Sequence, residues 1–251
     1  MQFLKKGKEK IDSYDFFGLL KSYNIYSAMK EFRDALGIFK AEKNVLGMHQ
    51  AIYYIGLCYE EIKDVDQAVY FYTEASKIIE PIDYEKSIAI LKYIYSSLKK
   101  DRDIAERIAS IYYKYQLYED AIVYYKEALQ IEKVADILVL QKEYKQAEML
   151  YDELIETRST TVLGKWLCNE LILKAVFCSF FTHSNPILLF NFYNLKYPKW
   201  IDTEEYRFAK QIIESIQNRN MESIGKAIKD YSKLSEWHVN VLFELKTENE
   251  K

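Results

Sequence analysis

Five residues at a fixed spacing recur along this chain and restrict its fold more than any other feature. Gly56, Tyr59, Ala68, Tyr72 and Ala75 are separated by steps of 3, 9, 4 and 3 residues. The same steps separate two further sets, which are Ala109, Tyr112, Ala121, Tyr125 and Ala128, and Ala135, Leu138, Ala147, Tyr151 and Leu154. Residues three or four apart share one face of a helix. Each set therefore predicts two helices that approach closely at the small residues, with large residues filling the space beside them.

Short segments that break this pattern separate the paired helices at residues 63–66, 116–119 and 141–144. The sets begin at residues 56, 109 and 135, so the intervals are 53 and 26, and an additional helix over about 84–98 fills the longer one. Only 7 Gly and 3 Pro occur in 251 residues, which leaves little room for a turn-rich β fold. The pattern resembles the tetratricopeptide hairpin and predicts an all-α solenoid of antiparallel helical hairpins.

The second half of the chain continues with helical patterns. Helices are predicted over about 163–182, 186–196, 204–217, 221–233 and 236–245. Residues 202–205 read Asp-Thr-Glu-Glu, which is typical of a capped helix start. We expect residues 1–200 to form a twisted sheet of hairpins and residues 201–251 to form a small helical bundle. No Gly/Ser/Pro-rich linker separates them, so the two parts are predicted to be one continuous domain.

Charge and cysteine content limit the class of protein. The formal net charge of -3 argues against a nucleic-acid binder. Three scattered cysteines, Cys58, Cys168 and Cys178, predict reduced thiols inside a cell rather than a disulfide framework. No signal-peptide pattern opens the chain, and the most apolar run, residues 175–181, is far shorter than a membrane span. A soluble, cytoplasmic protein is expected.

No pattern of catalytic or metal-binding residues is present in the sequence. His49, His183 and His238 are far apart, and none has a neighbour at metal-ligand spacing. Phosphate-cradling glycine loops and the common hydrolase motifs are absent. The sequence therefore predicts no enzyme, cofactor or metal site, and a helical array of this kind is expected to bind a protein partner.

The C-terminal third of the chain carries a distinctive set of residues, which are Tyr193, Pro198, Trp200, Asn220, Met221, Glu222, Lys229, Asp230, Tyr231 and Trp237. At these positions the chain resembles a known family, the soluble NSF attachment proteins. Residues 134–154 are similar to the third hairpin of that family. The resemblance implies an adaptor that performs no chemistry. Several copies would wrap a coiled-coil SNARE bundle, and the C-terminal bundle would recruit the hexameric ATPase NSF.

An apolar segment near the N-terminus, at about residues 14–22, resembles the membrane-inserting loop of that family. Phe16, Phe17, Leu19 and Leu20 surround one glycine, with lysines at positions 5, 6, 8 and 10 upstream. Burial of the four side chains in acyl chains would contribute at most about 6–12 kcal/mol, and each lysine roughly 1 kcal/mol on an anionic leaflet. A reversible, peripheral membrane contact is predicted. The alternative is that these residues form a core corner of the first hairpin.

The basic residues that would face the SNARE bundle match the family only in part. Lys133 corresponds to one lysine of the family in the third hairpin. Lys99, Lys100 and Arg102 supply positive charge in a similar region of the chain, without a position-by-position match. These four residues are the predicted SNARE contacts, and the alternative is a solvated face.

The acidic residues that would meet NSF are largely replaced. Glu214 matches the first of them, whereas Gln217 and Asn218 stand at the next two positions and Arg219 follows. No apolar residue follows Leu245, where the family carries a penultimate leucine in an acidic tail. Because paired charges give steering and register, the NSF contact is expected to be weakened.

Three functional hypotheses remain open. The first is a divergent adaptor that binds SNARE bundles, attaches to membrane and recruits NSF in vesicle trafficking. The second is a mimic that binds SNAREs or membranes without productive NSF coupling, as a pathogen protein secreted into a host cytosol would. The third is a tetratricopeptide scaffold for a peptide tail, although the basic carboxylate clamp of such scaffolds is not seen in the sequence.

Overall fold

The computed structural model describes residues 2–12, 19–182 and 186–249, and in these ranges the chain is all α-helical with no β-strand. The helices up to residue 129 are α1 (Gln2–Asp12), α2 (Leu19–Ala41), α3 (Val45–Glu61), α4 (Val65–Ile79), α5 (Tyr84–Tyr93), α6 (Arg102–Lys114) and α7 (Tyr118–Glu127). Those that follow are α8 (Ile131–Leu140), α9 (Tyr144–Arg158), α10 (Val162–Thr182), α11 (Pro186–Lys196), α12 (Glu204–Gln217), α13 (Met221–Asp230) and α14 (Glu236–Asn249). The predicted all-α array of helical hairpins is confirmed.

The chain divides into two compact units, Met1–Leu129 and Gln130–Lys251. In the first unit, one apolar core joins α1, α2 and α3. In the second unit, one core includes residues from Ala135 to Leu245, so the helices after residue 200 share it with α8 to α11. The predicted division at residue 200 stays a prediction.

The repeated spacing corresponds to close helix packing within each hairpin. Gly56 of α3 faces the Tyr72 ring of α4, and a Cβ atom at position 56 would lie 2.9 Å from that ring. The Tyr72 hydroxyl donates a hydrogen bond of 2.6 Å back to Glu60 on α3. Ala135 and Tyr151 repeat the arrangement between α8 and α9, where both are buried. At position 56 a Cβ atom would displace the Tyr72 ring, whereas alanine occupies the matching position 135 of the α8–α9 hairpin.

The turns between paired helices are closed by residues in the left-handed conformation. Lys63, Gln116 and Lys142 have φ angles of 64°, 61° and 63°, one in each turn that the sequence predicted. The next residue donates its backbone N–H to a carbonyl five residues earlier, as Asp64 does to Tyr59 at 2.9 Å. This is the Schellman arrangement, which satisfies the last carbonyls of a helix. Asp64 then caps α4 by accepting from the Gln67 backbone N–H.

The additional helix predicted over 84–98 is present, but its second part is not regular α-helix. After Tyr93 the chain continues as a π-helical segment from Ile94 to Leu98. The Lys99 N–H closes that segment on the Ile94 carbonyl at 2.9 Å. After this segment a short connection, exposed at Lys99 and Lys100, leads to α6.

The C-terminal helices begin where the sequence predicted, and α12 also ends as predicted at Gln217, whereas α13 and α14 end at different residues. The Thr203 side chain caps α12 by accepting from the Tyr206 N–H at 3.2 Å. Helix α13 ends at Asp230 rather than near residue 233, because Tyr231 leaves the helix to stack its ring on Phe208, with centroids 4.2 Å apart. Helix α14 extends to Asn249, four residues beyond its predicted end at residue 245.

Candidate partner-binding surfaces

The apolar segment near the N-terminus is described only at its edges. Phe16 and Phe17 lie outside the described residues, and so do the side chains of Leu19 and Leu20, whose backbone begins α2. Their predicted membrane contact therefore stays a prediction.

The lysines of α1 divide into two groups with different surroundings. The Lys10 ammonium lies 2.9 Å from Glu31 on α2, and this hydrogen bond is the main cause of the lowered pKa of Glu31. The Lys8 ammonium lies 4.7 Å from the centroid of the Tyr54 ring. Lys5, Lys6 and Lys8 are exposed, whereas Lys10 is half-buried. Three of the four lysines are therefore accessible for contact outside the protein.

The predicted basic residues Lys99 and Lys100 lie in the exposed connection that follows the π-helical segment, and Arg102 is the first residue of α6. The Lys99 ammonium is 3.1 Å from Asp66, and the Lys100 ammonium is 3.5 Å from Glu127. Since both pairs are exposed, each is worth at most about 1 kcal/mol, so a partner could replace them at small cost. No partner is found for the Arg102 guanidinium among the described residues. Three cations are therefore available within four residues.

Tyrosine hydroxyls hold the carboxylates beside this basic segment. The Tyr95 hydroxyl donates to Glu127 at 2.8 Å. That hydrogen bond is the main cause of the lowered pKa of Glu127, and the positive charge of the nearby Lys100 is the second cause. Tyr93 and Tyr72 donate in the same way to the Glu60 carboxylate, which raises the pKa of Tyr93 to about 12.

These tyrosines were not identified as neighbours of the basic segment from the sequence. The high count of 23 tyrosines was the only signal, and it does not say which residues meet. Lys92 is a further case, because its ammonium lies 5.2 and 5.5 Å from the centroids of Tyr112 and Tyr124. The hydrogen bond to Tyr112 is the main cause of the raised pKa of Lys92.

The fourth predicted basic residue, Lys133, belongs to the other compact unit. It is exposed in the first turn of α8, where a positive charge is not favoured by the helix dipole. The structure therefore brings together three of the four predicted SNARE contacts, and the fourth, Lys133, is part of the second unit.

Glu214, the predicted NSF contact, is exposed on α12. Its carboxylate lies 3.9 Å from the ammonium of Lys210, one turn earlier on the same helix. Helix α12 ends at Gln217, and Arg219 follows in the left-handed conformation with φ of 52°. The one matching acid is thus flanked by a cation on either side, so this end of α12 carries no concentrated negative charge.

The histidines in the described part of the chain serve structural roles. The His49 ring lies 3.0 Å from the Ala75 carbonyl and is buried, and burial lowers its pKa. The His238 ring accepts from the Ser235 backbone N–H at 3.2 Å, at the start of α14. In the described ranges, no three or more His, Cys, Asp or Glu side chains are grouped to hold a metal ion. None of the helices there has the length and apolarity that a membrane crossing requires.

Comparison with known proteins agrees with the hairpin array. The family model described as soluble NSF attachment protein, SNAP, matches residues 1–250. Human alpha-soluble NSF attachment protein is 22% identical over 274 aligned residues, which cover 98% of this chain and 93% of the human protein. A soluble NSF attachment protein homologue of fowlpox virus is 25% identical over 68% of this chain and 67% of its own length. The chain belongs to the soluble NSF attachment protein family.

Proposed function

We propose that this protein is an adaptor that binds a SNARE coiled-coil bundle, recruits an NSF-type AAA ATPase and attaches peripherally to membrane in the cytoplasm. The observation that carries the proposal is the family match over residues 1–250, which spans the whole hairpin array. The exposed cations at Lys99, Lys100 and Arg102 suit a SNARE bundle with acidic surface residues. Phe16, Phe17, Leu19 and Leu20 would enter the membrane.

A second candidate is a mimic that binds SNAREs without productive NSF coupling. The charge of α12 favours it, because Glu214 is flanked by Lys210 and Arg219 and the two intervening family positions are uncharged. The similarity to a fowlpox virus homologue is compatible with a viral mimic that acts in a host cytosol.

The deciding experiment is a pull-down of a purified four-helix SNARE bundle, with and without NSF and ATP. Binding followed by ATP-driven disassembly would support the adaptor. Binding without disassembly would support the mimic. Absence of binding would refute both and leave a helical scaffold.

Charge-reversal variants test the SNARE surface. The double variant Lys99→Glu and Lys100→Glu should weaken bundle binding by about tenfold or more, since each reversal turns attraction into repulsion. Lys77→Glu and Lys126→Glu are matched controls, because both lysines are exposed in the same compact unit. Equal losses in the two double variants would refute a specific role for Lys99 and Lys100.

Restoration of negative charge on α12 tests the NSF surface. In the double variant Gln217→Glu and Asn218→Glu, the exposed end of α12 regains the two negative charges that the family resemblance implies. If only charge limits NSF recruitment, this variant should stimulate the ATPase more than the unaltered protein. Unchanged stimulation, with unchanged SNARE binding, would mean that NSF coupling is limited elsewhere.

A further inference from the structure

Helix α11 exposes an apolar stripe of three large side chains along one face. Leu188, Phe192 and Leu195 are 69%, 49% and 84% exposed. They lie at positions i, i+4 and i+7, and at 100° per residue they fall within about 60° of one another around the helix. The opposite side of α11, with Phe190 and Tyr193, is buried in the core of the second unit.

No other described helix presents such a face. Among the side chains that the structure describes, each of the remaining helices exposes at most two large apolar residues. Exposed apolar patches larger than a few hundred Å² on a soluble chain usually mark a binding surface. With three exposed apolar residues on one face, α11 is the strongest candidate for such a surface among the described helices.

Charge limits what can occupy that surface. The sequence of α11, PILLFNFYNLK, contains no Asp or Glu. Lys196 ends the helix at the flank of the stripe, with its ammonium 5.2 Å from the centroid of the Phe192 ring. Lys199 follows in an exposed 3-10 turn and makes no ion pair with a described residue. Lys196 also pairs with Glu156 of α9, but that pair is exposed, so a phosphate could replace the carboxylate at small cost.

Area argues against a stable protein interface. A specific interface buries about 800 Å² on each partner, which three side chains on one 11-residue helix cannot supply. A lipid surface sets no such minimum, because each inserted side chain contributes separately. Apolar residues on one face and lysines at its border are typical of a helix that lies flat in a membrane interface.

We propose that α11 is a second membrane-contact site, which inserts Leu188, Phe192 and Leu195 into an anionic phospholipid surface. Lys196 and Lys199 would then lie at the level of the lipid phosphates. This site is independent of the apolar segment at residues 16–20 and belongs to the second compact unit.

The test is flotation with phosphatidylcholine vesicles, with and without phosphatidylserine, in a Phe16→Ser and Phe17→Ser background that removes the first proposed contact. Substitution of Leu188, Phe192 and Leu195 by Ser should lower vesicle binding by about tenfold or more. Lys196→Gln with Lys199→Gln should remove most of the dependence on phosphatidylserine. Val239→Ser with Phe243→Ser is the matched control, since these α14 residues are also about half exposed or more, at 49% and 69%.

A gain-of-function variant separates binding from folding. Leu195→Trp should increase vesicle binding several-fold, because tryptophan favours the membrane interface, and a folding defect could not produce this result. Equal loss in the α11 and α14 variants, or no loss in either, would overturn the proposal. So would loss of SNARE-bundle binding by the α11 variant, because the stripe would then belong to a protein partner. SNARE binding is otherwise expected to be unchanged, which keeps this test separate from that of the proposed adaptor function.

Discussion

Lys174 provides a direct test of how burial controls the strength of an ion pair in this protein. Its side chain is 6% exposed in α10, and its ammonium lies 2.7 Å from Asp136 of α8. Asp136 also accepts a hydrogen bond of 2.6 Å from the Tyr151 hydroxyl. The ammonium lies 5.4 Å from the centroid of the Trp237 ring, so one cation joins α8, α9, α10 and α14.

We predict that Lys174→Met destabilises the second unit by about 2–4 kcal/mol. Removal of one partner from a buried pair typically costs about 3–5 kcal/mol, because the other charge is left uncompensated. The cost is reduced here because the Asp136 side chain is 32% exposed and regains some water. Methionine has a similar length, so loss of packing contributes little.

The chain offers a closely matched control in the same unit. Lys142 also lies 2.7 Å from a carboxylate, that of Glu244, which is likewise 32% exposed, but the Lys142 side chain is 63% exposed. Lys142→Met should therefore cost no more than about 1 kcal/mol. The two substitutions share the chemical change and the distance of the closest pair. They differ in the burial of the lysine, and Lys174 also lies 3.5 Å from a second carboxylate, that of Glu132.

Urea denaturation followed by tryptophan fluorescence is the appropriate measurement. All three tryptophans, Trp166, Trp200 and Trp237, lie in the second unit, so this signal reports on the unit that contains both lysines. Equal midpoint shifts for Lys174→Met and Lys142→Met would refute the argument from burial. The double variant Lys174→Met and Asp136→Leu should be more stable than Lys174→Met alone. That result would confirm that the unpaired carboxylate, rather than lost packing, causes the destabilisation.

Three further predictions concern packing, turns and pH. Gly56→Ala should destabilise the first unit by about 1–3 kcal/mol, because its Cβ atom would lie 2.9 Å from the Tyr72 ring; an unchanged melting temperature by circular dichroism would contradict this. Gln116→Gly should raise stability by up to about 1 kcal/mol, because φ at this position is 61°, whereas the same change at the helical residue Gln67 should lower it. Because burial lowers the pKa of His49, the unfolded chain binds a proton below about pH 6.5 that the folded chain does not, so stability falls as the pH drops through that range. His49→Gln should therefore show a shallower loss of thermal stability between about pH 6.5 and 5, measured by circular dichroism, than the unaltered protein.

The repeat could be predicted from the sequence because packing between paired helices restricts residue size. Gly56 and Ala68 have to be small and Tyr72 has to be large, and these restrictions are visible in the order of the residues. The turns were predicted for a similar reason, since they interrupt the helical pattern at residues such as Lys63. Their left-handed residues were not predicted, because none of them is glycine.

The contacts of the charged side chains could not be predicted in the same way. Asp66 and Lys99 are 33 residues apart and meet only after α4 and the π-helical segment have folded. The π-helical winding before Lys99 also has no distinct signature in the sequence. The burial of Lys174 was missed because a lysine in a helical pattern is usually exposed, and its partner Asp136 lies 38 residues earlier.

Helix packing restricts residue size, whereas charged residues at the surface are not restricted in this way. This difference explains how the chain keeps the family fold while its charges differ from those that the family resemblance implies. Substitution at a position such as Gly56 disturbs a close contact between two helices, so it lowers the stability of the fold. Gln217, Asn218 and Arg219 are exposed at the end of α12, where most substitutions change stability by less than about 0.5 kcal/mol. Folding therefore does not require negative charge at the end of α12, and only binding to a partner would require it. The uncharged Gln217 and Asn218 at two positions where the family resemblance implies acids are consequently evidence about the proposed NSF contact rather than about the fold.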